Sequence, residues 1–349
     1  MTVRYDRAMS RIVIDARELR TTSGRYVERL LHYLLQLDHE HDYFLMLKPE
    51  DMSGWQPTNP KFTAVACPHK EFTVAEQLGL KQQIRGLKPD LVHFTFPQQP
   101  VWYRGRTVTT VHDLTTLRFT NPDKNPLVFT FKQIIYAHVI KHAVHKAACV
   151  LVPSQFVKDD VVAFARLNPA KVRVTYEAAD PITAAAESLP QLRNKQFVMY
   201  IGRPTPHKNL NLLLEAFARL RAQRPDLLLV LAGKLDANYR RVQAAVERQG
   251  LPNVVFTDFV SEGQLRWLYE NCAAYVFPSL SEGFGLPGLE AMQHGAPVVS
   301  SNATCLPEIY GEAAHYFDPT DTQAMADAIN EVLTDQALRQ RLATRSPNP

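Results

Sequence analysis

The sequence predicts an α/β protein of two doubly wound, Rossmann-like domains in tandem. Three observations predict it. Short apolar, β-branched runs alternate with segments of helical periodicity along nearly the whole chain, as in a parallel sheet covered on both faces. The chain's 349 residues exceed the usual size of one hydrophobic core, which favours two domains over a single large one. Finally "AADPITAAAESLPQLRNKQ", residues 178–196, loses apolar periodicity and carries two prolines, as an interdomain connection does. The boundary is placed at residue 185, giving domains 1–185 and 186–349.

In the first domain "RIVIDA" reads as a strand, followed by a loop with Gly24 and the helix "RYVERLLHYLLQL". The strands "YFLML", "FTAVAC", "LVHFT", "TVTTVHDL" and "CVLVPS" follow, with a helix over 131–148 among them. The second domain runs "FVMYIG", "DLLLVLAG", "VVFTDFV", "AAYVFPS" and "APVVSS", each followed by a loop or helix. The carboxyl ends of both sheets are expected to face a cleft, where ligands bind in such folds.

Composition narrows the class. Hydrophobic residues at 46% and charged residues at 21% are the balance of an ordinary globular protein. No apolar run reaches the roughly 18 residues of a membrane span. The first residues, "MTVRYDRAMSRIVIDA", lack a signal-peptide segment, so the expected compartment is the cytoplasm. Cys67, Cys149, Cys272 and Cys305 lie far apart and are expected to be buried thiols rather than zinc ligands or disulfides. A net charge of +4 does not argue for nucleic acid. The excess is concentrated in residues 1–185, with 24 Lys and Arg against 18 Asp and Glu. That suits an anionic partner such as a phospholipid surface, or a solvated basic face.

"SEGFGLPGLEAMQHGAPVV" matches the dinucleotide pattern G-x-G-x-x-G at Gly283, Gly285 and Gly288. The context disagrees. "LSE" separates the preceding strand from the first glycine, and the next strand ends in Ser300, Ser301 and Asn302 with no acid for a ribose. Glu308 comes too late for that role. Pro287 fits the first helical turn, which places Gly288 inside a helix ended by Gly295. A glycine turn feeding a helix N-terminus remains, and this attracts anionic or hydroxyl-rich ligands.

Arg203 and Lys208 share the loop after the first strand of the second domain, where two cations suit a diphosphate. Glu282 and Glu290 flank the glycine turn, where carboxylates can accept hydrogen bonds from vicinal hydroxyls or simply complement the helix dipole. His112 and Asp113 close a strand of the first domain at its carboxyl end. Gly24 leaves room for a phosphate or sugar, or makes a turn.

Taken in order, "IDARELRTTSGRYVERLL", "TVHDL", "VPSQFVKDDV", "YIGRPTPHKNLNLLLEAF", "FVSEGQLRWLYENCAAYVFPSLSEGFGLPGLEAM" and "GAPVVSSNATCLPEIYGEAAHYFDP" resemble the retaining nucleotide-sugar glycosyltransferases of family 4, with the GT-B fold. The resemblance implies a donor held mainly by the second domain and an acceptor held mainly by the first. Arg203 and Lys208 would grip the diphosphate, Glu290 the ribose and Glu282 the donor sugar's hydroxyls, with the turn Gly283, Phe284, Gly285 and Leu286 beside them. His112 would contact the donor sugar near the reacting face, Gly24 would leave room for the phosphate, and Phe259 and Val260 would lie against the base.

The same resemblance implies a transferase with no cofactor and no metal, in keeping with the absence of a D-x-D motif. GDP-mannose is the preferred donor and a UDP-hexose the alternative. The acceptor is a glycan or a lipid-linked sugar, met at the inner face of the membrane. The competing classes are a nucleotide-sugar epimerase or dehydrogenase and an idle sugar-nucleotide-binding protein. The family continues past the "DP" segment with helices that cross back to the first domain, whereas this chain stops at "LRQRLATRSPNP". A shortened crossover, a truncated chain or one module of something longer is therefore expected.

Overall fold

Strands covered on both faces are buried along their whole length, and the central strands here are. In the computed structural model, which describes residues 9–21, 24–119 and 125–345, Leu228–Ala232 is buried at every position and Phe197–Ile201 at all but the last. The chain divides into two compact units. One contains the described residues up to 117 with 125–153 and 157–175, and the other contains 118–119, 154–156 and 176–345.

The first unit carries a seven-stranded parallel sheet: β1 (Arg11–Asp15), β2 (Asp42–Leu47), β3 (Phe62–Ala66), β4 (Leu91–Phe94), β5 (Thr107–Thr110), β6 (Cys149–Val152) and β7 (Val172–Val174). Their spatial order is β3-β2-β1-β4-β5-β6-β7. The helix Gly24–Leu37 packs Val27 and Leu31 onto one face with Ile14, Leu45 and Leu47. Leu80 and Ile84 meet Val13, Met46 and Val92 in a separate cluster.

The second unit has β8 (Phe197–Ile201), β9 (Leu228–Ala232), β10 (Val254–Phe256), β11 (Ala274–Phe277), β12 (Val298–Ser301) and β13 (Ala314–Phe317), all parallel, in the order β10-β9-β8-β11-β12-β13. In each sheet the strand order reverses once, beside β1 and β4 in the first and beside β8 and β11 in the second. A crevice opens at the carboxyl ends of the strands where the order reverses.

Residues 176–185 belong with the second unit, although the sequence reading assigns them to the first domain. The cause is backbone bonding to the helix Glu262–Asn271 and its surroundings. Arg266 donates to Ala184 O (3.1 Å), His294 Nε2 accepts from Ile182 N (3.0 Å) and Glu187 N donates to Gly263 O (3.0 Å). Gly263 permits this approach, since a Cβ there would stand 2.5 Å from Ala185 O.

β7 and β13 have no counterpart in the sequence reading. Three and four residues at sheet edges are too short to show a period. Of the cysteines, Cys67, Cys272 and Cys305 are buried thiols, whereas Cys149 is only half-buried, because it opens a strand near the sheet edge. Two helices, Thr322–Thr334 and Gln336–Thr344, follow the "DP" segment. Among the described residues no helix is long and apolar enough to cross a membrane.

Candidate functional site

The reversal point of the second sheet gathers the predicted cations and one predicted carboxylate. After β8 the chain turns at Gly202, whose φ of 138° favours glycine. Tyr239 pins the turn by donating to both Gly202 O (2.9 Å) and Ala232 O (2.8 Å). A short 3₁₀ turn, Pro206–Lys208, then ends at Asn209 in the left-handed region. The Asn209 amide fixes this bend by donating to Pro278 O and Pro319 O, and Leu280 N donates to His207 O at 2.7 Å. The loops after β8 and β11 are thereby tied together.

Lys208 and Glu282 face each other as a result. Lys208 Nζ is 2.5 Å from Glu282 Oε1, with the lysine side chain 20% and the carboxylate 12% exposed. The ammonium also lies 5.5 Å from the centroid of the Phe277 ring. Thr304 Oγ1 accepts from Glu282 N (3.1 Å), and the buried Cys305 thiol, which burial pushes well above its ordinary pKa, donates to Glu282 O. Arg203 is mostly exposed and its Nε donates to Asp236 Oδ2 at 3.1 Å. Burial opposes ionisation of Asp236, yet the N–H groups of Tyr239 and Asn238, then Arg203, hold its carboxyl below the usual range.

The glycine turn leads into the helix Leu286–Gln293. Gly285 is its N-cap at φ 97°, and Pro287 lies in the first turn. Tyr310 donates to Gly285 O (2.6 Å) and its ring packs beneath the helix start. A Cβ on Gly288 would overlap that ring and hydroxyl. Gly285 therefore answers a cap and Gly288 a packing contact, rather than a dinucleotide fingerprint. Gly283 O accepts from Ser154 Oγ (2.9 Å), and the carboxylate of Glu308 accepts from Gln155 N and Phe156 N. Glu290 is buried within the helix, with the Tyr269 hydroxyl 3.5 Å from Oε2.

Phe259 and Val260 follow β10 at the same edge of the sheet. Asp258, at φ 59°, holds this loop through Gly233 N and Leu235 N, leaving Phe259 79% exposed. Its ring thus presents an exposed flat apolar face at the carboxyl end of the edge strand.

His112 and Gly24 belong to the first unit. His112 Nε2 donates to Thr95 O (3.0 Å), and the ring is held edge-on to Tyr26 and tilted against Phe96. Gly24 begins its helix, where a Cβ would run into the carbonyls of Glu18 and Leu19. Asp113 accepts from Thr115 N (2.7 Å) and so shapes the next turn.

Sequence reasoning missed Thr304, Asp236 and Tyr310. Asp236 carried a signal, since an Asp before a polar helix is a natural N-cap. Nothing local marks Tyr310.

Two family models match the chain: Glycosyltransferase Family 4 over residues 23–183 and Glycosyl transferases group 1 over residues 182–348. The O-antigen chain mannosyltransferase B of Escherichia coli is 33% identical over 69% of this chain and 64% of its own length. The serotype-specific mannosyltransferase WbdA of Escherichia coli is 36% identical over 46% of this chain and 21% of its own length. These matches span less than two thirds of either relative. Sucrose-phosphate synthase from Thermosynechococcus elongatus superposes with a TM-score of 0.73 at 19% identity, covering 97% of this chain and 92% of that one. WaaG, a glycosyltransferase involved in lipopolysaccharide biosynthesis, gives 0.73 at 17% identity, covering 95% and 93%. The likeness to these structures concerns the fold, which is the α/β architecture of two Rossmann-like units called GT-B. With one family model over each half and that fold throughout, the chain belongs to the glycosyltransferases, family 4 in its first half and group 1 in its second.

Proposed function

We propose that the protein is a retaining glycosyltransferase that moves a hexose, mannose by preference, from a nucleotide sugar to a glycan or lipid-linked acceptor without a metal. The observation that carries this reading is the Lys208–Glu282 pair at the reversal point of the second sheet, one turn from a glycine-capped helix N-terminus. A diphosphate needs cations and a sugar ring needs hydroxyl acceptors. Lys208 and Arg203 supply the first, Glu282 the second, and the amides around Gly283, Phe284, Gly285 and Leu286 add the positive end of a helix.

In the transfer step the bond from the anomeric carbon to the phosphate oxygen breaks. The acceptor oxygen bonds that carbon on the same face, and the acceptor's proton passes to the leaving phosphate oxygen. Arg203 and Lys208 offset the charge developing there, which stabilises the transition state more than the ground state. His112 contacts the donor sugar and Gly24 leaves room beside the phosphate. Glu290 takes the ribose hydroxyls, while Phe259 and Val260 flank the base.

The mannosyltransferase names of the relatives favour GDP-mannose, while the structure of Anabaena HepE in complex with UDP-glucose keeps a UDP-hexose as the alternative donor. A lipid-linked acceptor would be met at a membrane face. The exposed Phe131, Ile134 and Ile135 on one helix of the first unit, next to Lys132, suit a peripheral contact there.

A thermal-shift screen with GDP-, UDP- and ADP-sugars tests the reading. A ligand at 100 times its dissociation constant stabilises by about 2.7 kcal/mol, so one donor is expected to raise the melting temperature clearly. Stabilisation by none, or a transfer product of inverted anomeric configuration by NMR, would overturn it.

A further inference from the structure

The first sheet also reverses its strand order, between β1 and β4, and a pocket of about 150 Å³ lies at that point. Its floor comes from the ends of β1 and the loop beyond it, Asp15 to Glu18, and its far wall from Phe96 after β4. Phe72 and Tyr136 complete the mouth, with ring centroids 5.9 Å apart.

The floor is rigid. Arg17 is 3% exposed and meets Asp15 at 2.7 Å and Glu76 at 2.9 Å, with a further bond to His69 O. Lys48 stands between Glu71 (3.2 Å) and Glu18 (3.7 Å). Two cations thus face four carboxylates, leaving the pocket negative by two charges. Burial works against ionisation of Glu71, but its own backbone amide and Lys48 hold its carboxyl below the ordinary range.

The mouth has the opposite character. Phe72 is 71% exposed, and its backbone sits at φ 61°, a conformation unfavourable for a bulky L-residue. Neither exposure nor backbone contributes stability, yet the position is locked by Phe72 N donating to Glu76 Oε2 at 2.9 Å. An aromatic ring held open beside carboxylates offers an apolar surface and hydroxyl acceptors together. A pyranose, with C–H faces and equatorial hydroxyls, matches both. A phosphate matches neither, because the surrounding charge repels it.

We propose that this pocket holds an uncharged hexose ring of the acceptor glycan, stacked on the exposed ring of Phe72 beside Tyr136, with its hydroxyls donating to Glu18 and Glu71, and that it rejects a phosphorylated sugar. The assignment rests on the glycosyltransferase reading above and specifies its acceptor. Sugar-hydroxyl recognition through buried polar partners is the arrangement that discriminates most strongly between analogues.

Ligand-observed NMR on the full chain tests it, with methyl α-mannopyranoside, methyl α-glucopyranoside and mannose 6-phosphate as probes. At least one methyl hexoside is expected to bind and mannose 6-phosphate not to. Phe72→Ala, at an exposed position, and Glu71→Gln are each expected to weaken that hexoside about tenfold or more while leaving the thermal shift by the nucleotide sugar unchanged. In the double variant Glu18→Gln/Glu71→Gln the phosphorylated sugar is expected to begin to bind. Equal binding of both sugar classes to the unaltered chain, or hexoside binding untouched by Phe72→Ala, would overturn the assignment. So would the absence of hexoside binding while the nucleotide sugar still stabilises, and that outcome leaves the glycosyltransferase reading standing. Loss of both signals would bring down the two readings together.

Discussion

Lys208 and Glu282, 74 positions apart in sequence, meet at 2.5 Å because the loops after β8 and β11 share the bond from Leu280 N to His207 O. Each is the other's charge partner, with both side chains one-fifth exposed or less. Under the proposed function a nucleotide sugar entering that crevice would replace this pairing, its phosphate taking the ammonium and its hydroxyls the carboxylate.

Lys208→Ala and Glu282→Ala are each expected to lower turnover at least about tenfold, corresponding to about 1.4 kcal/mol of barrier. Each single change also strands a largely buried charge, costing about 1–3 kcal/mol of stability between the surface and fully buried limits. The double variant removes both charges and is expected to be more stable than the sum of the singles predicts. Steady-state kinetics and urea midpoints of the three proteins check this. Near-normal transfer by both single variants would refute the roles assigned to the pair.

The glycine substitutions separate packing from backbone freedom. Gly288→Ala drives a Cβ into Tyr310, whose hydroxyl holds the N-cap carbonyl of Gly285, and is expected to cost about 1–3 kcal/mol. Gly86, in the helix Lys81–Leu87, has nothing within 4 Å of the same added atom. Gly86→Ala is therefore expected to stabilise by about 0.5–1 kcal/mol through helix propensity alone. Chemical denaturation of both variants compares them directly. A neutral Gly288→Ala would mean that the helix start does not rest on Tyr310.

The loops that carry Arg203, Lys208 and Glu282 were legible because each follows an apolar strand of four or five buried residues and precedes a helix with a recognisable start. What joins them was not. Asp236 reaches Arg203 across 33 positions, and Tyr310 lies 22 positions beyond the Gly288 it packs against, so no local period reports either contact. The glycine pattern misleads for the same reason, since its third member answers a side chain that arrives from another element. In the first unit Arg17 is readable only as part of "IDAR", and its second carboxylate, Glu76, arrives from 59 positions away. Register and reversal of strand order place such partners, and neither is written in any single segment.

His93 gives the first unit a pH dependence with a definite sign. It is buried with Nε2 2.9 Å from Thr110 Oγ1, and burial, followed by the nearby His112, lowers its pKa to about 4. With the folded value depressed below the unfolded one near 6.5, the unfolded chain binds the proton first as pH falls. Stability from the neutral imidazole is thus complete above about pH 6.5 and is lost progressively towards pH 4, by up to about 3 kcal/mol. His93→Gln, which keeps a polar partner for Thr110, is expected to remove that part of the slope. Urea midpoints of the two proteins between pH 4 and 7 decide it, and parallel curves would show that His93 does not titrate in this way.

Glu76 tests how far the first unit depends on its buried ion cluster. It is fully buried, and its two oxygens receive Arg17 Nη2 (2.9 Å), Phe72 N (2.9 Å) and Gln98 Nε2 (2.6 Å). Removing one member of a buried pair leaves the other uncompensated, so Glu76→Ala is expected to cost about 3–5 kcal/mol. Three donors also lose their acceptor, so the loss exceeds that of a simple cavity. Glu76→Gln retains the shape and one acceptor oxygen but abolishes the charge, and should fall between that variant and the unaltered chain. If Glu76→Gln matched the unaltered chain in a urea titration, hydrogen bonding rather than charge would hold Arg17 at the end of β1. If Glu76→Ala also matched it, the cluster would contribute nothing net, its desolvation having cancelled its attraction.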